Sequence, residues 1–157
     1  MGDNMIKINF VCHGNICRSP MAEYVFKDLL EKENLSDKFF VTSSAVSNEE
    51  LGNGVHYGTR SILAQKGVPL GDHRSTKFLK SDYDRFDYII IMDRSNSRLI
   101  NRILENENPE KVKLFLSFAG ENRDIADPWY TGDFEETYCD VLKASKAFLD
   151  YLKGKGI

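Results

Sequence analysis

The stretch CHGNICRSP, 12–20, sets two cysteines, an arginine and a serine around a Gly-Asn pair. Three chemistries could use such a set: a metal site, a thiol redox pair, or a cradle for an anion. Metal fits poorly, because Cys12 and Cys17 lack the C-x2-C spacing and no second ligand pair accompanies them. Two cysteines can also be inert core residues. Around a given Cys, however, this placement of Gly, Asn, Arg and Ser arises by chance only about once in 10⁵ on average residue usage.

An anion cradle gives each part a reason. Between a strand end and a helix start, successive N–H groups converge on an anion, and the helix dipole adds to them. Gly14 and Asn15 suit the left-handed or strained backbone of a tight loop. Arg18 offers a planar fork for two phosphate oxygens, and its charge cannot be titrated away. The same environment favours the thiolate of Cys12, which then needs no base at its side. A Ser19 hydroxyl at the loop's exit can hydrogen-bond that thiolate. Cys17, five residues on, could come within disulfide range of Cys12.

The elements that must position these residues are visible in the apolar pattern. Ile6–Cys12 alternates and then turns apolar, as a strand entering a buried sheet does. A helix over 19–35 follows, with Ser19 as cap and Pro20 in the first turn. Phe39–Ala45 reads as a second strand, 57–67 as a short helix closed by Gly67, and 71–86 as irregular. The apolar run 88–93 is a third strand, 94–106 a helix, 112–119 a fourth strand, and 134–154 a long helix. Alternating strands and helices predict an α/β three-layer sandwich around a parallel sheet. Ligands of such sheets sit beyond the carboxyl ends of the strands, where Cys12, Ser43, Asp93 and the loop after strand four all lie.

The 157 residues suit one domain, 1–157, with 1–5 read as a frayed start. With 41% hydrophobic and 29% charged residues the chain reads as soluble and globular. Net charge is -3, Lys and Arg are scattered, and a nucleic-acid partner is not expected. No window approaches a membrane span. Three cysteines without a signal peptide point to a reducing cytoplasm. Cys139 falls in the stripe of the last helix and reads as core, and His56 as an ordinary core or surface histidine.

At CHGNICRSP the chain resembles the low-molecular-weight protein tyrosine phosphatases, whose signature loop it matches. DPWY, 127–130, matches that family's Asp-Pro-aromatic loop, and SSA at 43–45, DHR at 72–74 and MDRSN at 92–96 extend the resemblance over nearly the whole chain. It implies four parallel strands flanked by helices, with the phosphate loop after strand 1. It implies Cys12 as nucleophile, Arg18 as phosphate clamp and Asp127 as general acid, with His13, Gly14, Asn15, Ile16 and Cys17 completing the loop. It also implies that Asn15, Ser19, Ser43 and His73 hold that loop in shape, and it supports Cys17 as a guard of Cys12 against over-oxidation.

His13 contributes its N–H rather than its ring. Ile16, Trp129 and Tyr130 suit a slot for a phenyl ring; relatives acting on phosphoarginine typically carry Thr at the position of Ile16. Glu49 departs from the aromatic many members have there, and disfavours acidic phosphopeptides. The implied substrates are phosphotyrosine proteins or peptides, the product is inorganic phosphate, anions inhibit, and the protein is a monomer needing no cofactor or metal. Two rivals remain: an arsenate reductase of the same fold, which needs a downstream cysteine pair that 82–93 lacks, and a silent phosphotyrosine-binding module, against which the intact Cys12, Arg18 and Asp127 speak.

Overall fold

A computed structural model describes residues 5–157, so the expectation of a frayed start falls almost wholly outside it. Four parallel strands, β1 (Ile6–Cys12), β2 (Phe39–Ala45), β3 (Tyr88–Ile91) and β4 (Val112–Leu114), form a sheet of order β2-β1-β3-β4. Helices α1 (Arg18–Lys32), α2 (Tyr57–Gln65) and α3 (Arg94–Leu104) fill the three connections that parallel pairing demands, and α4 (Pro128–Thr131) and α5 (Phe134–Lys153) follow the last strand. The expected three-layer α/β sandwich is therefore present.

Side-chain alternation along β1 divides the core. Ile8, Phe10 and Cys12 face α1 and α5, whereas Val11 joins Ile89, Ile91 and the Ile100 and Leu104 stripe of α3 on the other side. Phe148 of α5 anchors the larger half, with Phe26 and Phe118 rings 5.3 and 4.5 Å from its own. Central β1 is buried on both faces, so its carboxyl end and the loop that follows rest on a rigid support.

Four local expectations need correction. The fourth strand stops at Leu114, and 115–119 becomes a 3₁₀ turn. Its only neighbour, β3, has no paired residue beyond Ile91, and Phe115 and Phe118 turn in to pack on Phe148. Ser19 does not cap α1. Cys17 occupies that position without a side-chain bond, and the Ser19 hydroxyl is spent on the loop instead. Gly14 does not take left-handed backbone, which Asn15 adopts at φ 61°. Cys139 is exposed, because it lies one step round the helix from buried Tyr138.

Among the described residues no helix is long and apolar enough to cross a membrane, and no cluster of three or more His, Cys, Asp or Glu could hold a metal ion.

Candidate active site

Cys12 ends β1 almost fully buried, and its Sγ accepts from the backbone N–H groups of Asn15 at 3.3 Å and Ser19 at 3.4 Å. The Ser19 hydroxyl lies 3.1 Å from the same sulfur. That hydroxyl already accepts from Asn15 Nδ2 at 2.8 Å, which leaves its proton free for Sγ. Three donors thus converge on one sulfur, an arrangement that favours negative charge there.

Asn15 is the hub of the loop. Its left-handed backbone is one that Asn tolerates better than most residues. Wholly buried, it also donates from Nδ2 to Ser43 Oγ at 3.0 Å and accepts at Oδ1 from the Thr76 N–H at 3.1 Å. His73 Nε2 meets the Asn15 carbonyl at 2.8 Å, so the four expected supports, Asn15, Ser19, Ser43 and His73, form one network.

Two further supports escaped the sequence reading. Ser75 donates to the Gly14 carbonyl at 2.8 Å. Buried Glu23 accepts from Ser43 at 2.6 Å and lies 3.9 Å from His73 Nδ1. Glu23 stands on the inner face of α1, and an acid on the apolar side of a helix was the available signal. A Cβ at Gly14 would come within 3.2 Å of the Glu50 side chain, which would have to give by a few tenths of an ångström.

Arg18 opens α1 with its side chain only 2% exposed. A cation at a helix N-terminus opposes the dipole, and acceptors from distant segments compensate. Nη1 donates to Asp93 Oδ2 at 2.7 Å and to the Ile125 carbonyl at 2.9 Å, and Nη2 reaches Asp127 Oδ2 at 3.4 Å. Burial pulls the guanidinium pKa down, but Cys12, Asp93 and Asp127 push harder and hold it above its ordinary value. Asp93 was placed at a strand end by the sequence but given no role. It also caps α3 by accepting from the Asn96 N–H at 2.8 Å, which fixes its carboxylate beside Arg18.

Asp127 caps α4, accepting from the Trp129 N–H at 3.1 Å with Pro128 in the first turn. The cap aims its second oxygen into the cleft. Ile16, Trp129 and Tyr130 line that cleft as expected, with Tyr130 largely exposed. Glu49 stands at the mouth, paired with His13 Nε2 at 3.1 Å, and Glu50 joins it there.

The two loop cysteines differ. Burial, reinforced by Cys12, Asp127 and Glu50 and only partly offset by Arg18, pushes the Cys17 thiol up to about 12. Cys17 is a neutral thiol throughout the working range, and it borders the same cleft as Cys12.

Comparison with known proteins fits this geometry. The sequence model of the family described as "Low molecular weight phosphotyrosine protein phosphatase" matches residues 7–156. The low molecular weight protein-tyrosine-phosphatase YfkJ of Bacillus subtilis is 38% identical over 141 residues, covering 88% of this chain and 90% of the relative. The human low molecular weight phosphotyrosine protein phosphatase is also 38% identical, over 146 residues that cover 90% and 92% of the two chains. The crystal structure of YfkJ superposes with a TM-score of 0.93 at 34% identity, covering 98% of each chain. With both signature loops meeting in one cleft, the chain belongs to the low molecular weight protein tyrosine phosphatases, hydrolases of phosphate monoesters.

Proposed function

We propose that the protein dephosphorylates phosphotyrosine in proteins or peptides, and aryl phosphates, with Cys12 as nucleophile, Arg18 as phosphate clamp and Asp127 as general acid and base. The observation that carries this reading is convergence: Cys12 Sγ, the Arg18 fork and the Asp127 carboxyl border one cleft although the loops are over a hundred residues apart. The phosphoryl oxygens lie on the N–H groups of 13–18 and on Arg18. Sγ attacks phosphorus as the P–O bond to the aryl group breaks, and protonated Asp127 gives its proton to the departing oxygen. Water then attacks phosphorus, Asp127 takes its proton, and the P–S bond breaks to release phosphate. The Ser19 hydroxyl, 3.1 Å from Sγ, stabilises the thiolate that leaves.

The test is turnover of para-nitrophenyl phosphate and phosphotyrosine in the presence of a chelator, blocked by vanadate, with the phosphoryl group trapped on Cys12 by acid quench. No turnover near pH 5 to 6 would reject an enzyme and leave a binding module. An arsenate reductase finds no support, since 82–93 holds no cysteine pair and Cys139 stands alone, exposed on α5 beside Glu135. We place the protein in a reducing compartment, the cytoplasm, on its odd number of cysteines.

Cys17 fits the guard role. Peroxide oxidises the Cys12 thiolate to sulfenic acid, and Cys17 gives up its proton as it attacks that sulfur, so that the sulfenic oxygen leaves as water and a disulfide forms that a dithiol later reduces. After peroxide, Cys17→Ser is expected to regain less activity in dithiothreitol than the wild type. Equal recovery would remove the guard.

The acidic mouth bears on substrate choice. Glu49 keeps much of its side chain exposed, and its pairing with His13 offsets only part of its field. Glu49→Gln is expected to raise kcat/KM for a phosphopeptide with flanking Asp or Glu, relative to one with flanking Lys, by roughly threefold at low salt. An unchanged ratio would clear Glu49 of selecting peptides.

A further inference from the structure

We propose that His56 is a positioning residue that joins the phosphate loop to the aromatic wall and holds Trp129 against the ring of an aryl substrate. The inference rests on placing Trp129 in the slot. Each part of His56 engages a different element. Its backbone N–H donates to the Ile16 carbonyl at 2.9 Å, which ties it to the loop carrying Cys12. Its Nδ1 accepts from the Gly58 N–H at 3.0 Å and so caps α2, which leaves the ring proton on Nε2.

The ring lies nearly parallel to Phe134, with centroids 5.3 Å apart at 13°, and to Tyr57, at 4.8 Å and 27°. Trp129 meets it at 5.6 Å and 76°, edge to face. Stacked and edge-on pairs are the arrangements aromatic quadrupoles prefer. Among the aromatic contacts of the described residues, this is the one Trp129 makes.

The sequence around His56 makes room for the stack. A Cβ on residue 58 would come within 2.4 Å of the Phe134 ring, so Gly58 is what lets that ring reach across α2 to the imidazole. Thr59 Oγ1 donates to the Cys17 carbonyl at 3.2 Å and makes a second tie between α2 and the loop. Trp129 itself is 57% exposed on a four-residue helix, and its ring needs a lateral partner to keep one orientation. An imidazole fixed at both its backbone and its Nδ1 is that partner.

Two substitutions separate capping from stacking. His56→Asn keeps a side-chain oxygen suited to cap α2 and removes the stack; His56→Phe keeps a ring and removes the cap. Competitive inhibition of the full chain is measured with benzylphosphonate, which carries a ring, and with inorganic phosphate, which does not. Trp129 is the sole tryptophan, so its fluorescence anisotropy reports on the wall without reference to turnover.

For His56→Asn the expected result is a benzylphosphonate Ki raised about three- to tenfold, as loss of an aromatic pair implies. The phosphate Ki stays within about twofold on the same grounds, and the Trp129 anisotropy falls. For His56→Phe the inhibitor ratio and anisotropy are retained while the melting temperature drops. An unchanged ratio and anisotropy in His56→Asn overturn the proposal. So does a parallel rise of both Ki values, which would assign the effect to the tie at Ile16. If His56→Asn does not fold, a lost ratio in His56→Phe decides against it. Failure of the wild type to turn over para-nitrophenyl phosphate would instead fail the reading of the reaction, and the anisotropy comparison would still decide whether His56 holds Trp129.

Discussion

Cys12→Ser is expected to lower kcat for para-nitrophenyl phosphate and for phosphotyrosine by at least about 10⁵-fold, the scale on which enzymes lose rate with their nucleophile. The substitution is nearly isosteric, and the donors from Asn15 N–H, Ser19 N–H and Ser19 Oγ remain in place around residue 12. What disappears is an atom that ionises readily and attacks phosphorus; a serine hydroxyl held by the same donors stays protonated. The cradle itself survives, so inorganic phosphate measured by calorimetry is expected to bind at least as well as to the wild type, with one negative neighbour fewer. Appreciable turnover by the variant would move the nucleophile elsewhere. Loss of both turnover and phosphate binding would show only that the loop had collapsed.

Asp127→Ala is expected to cost about 10²–10⁴ in kcat on phosphotyrosine, the contribution of a positioned general acid. The loss is smaller on para-nitrophenyl phosphate, whose phenolate leaves without help. Alanine also removes the cap of α4 and one partner of Arg18, so part of the effect could be structural. Asp127→Asn isolates the chemistry: its amide oxygen can still cap Trp129 N–H, a bond whose loss costs about 0.5–2 kcal/mol, yet it carries no transferable proton. Equal leaving-group dependence in both variants supports proton transfer; an undiminished rate on phosphotyrosine removes Asp127 from the mechanism.

The residues most legible in the sequence were those whose chemistry depends on near neighbours. CHGNICRSP declares a cradle because Gly, Asn, Arg and Ser must stand at fixed steps from Cys12, and β1 declares itself by its apolar run. Asp93, Glu23 and Ser75 were missed as partners because each acts across long chain separation, Asp93 on Arg18 and Ser75 on Gly14, and no periodicity encodes such a meeting. Ser19 misled in a different way. Ser before Pro at a helix start reads as a cap, but the Cys12 sulfur, 3.1 Å away, competes for the same hydroxyl and wins. The fourth strand was overextended because 115–119 is as apolar as a strand, and only the place of Phe148 explains why those residues turn away from the sheet edge. Cys139 shows the limit of a stripe: one residue is about 100° of arc, enough to carry a side chain from core to solvent.

The sharing of Arg18 between two carboxyl groups has a consequence for how an anion enters. Asp93 holds Nη1 at 2.7 Å, and Asp127 holds Nη2 more loosely at 3.4 Å. Asp127 is thus held by the weaker of the two contacts on Arg18, and in the proposed mechanism an anion on the guanidinium fork competes with that contact first. On that mechanism entry is an exchange of partners: the guanidinium gives up the Asp127 contact for the phosphoryl oxygens, and the carboxyl is left beside the oxygen that must leave. On the same mechanism, readiness for the chemistry and occupancy of the cradle become one event.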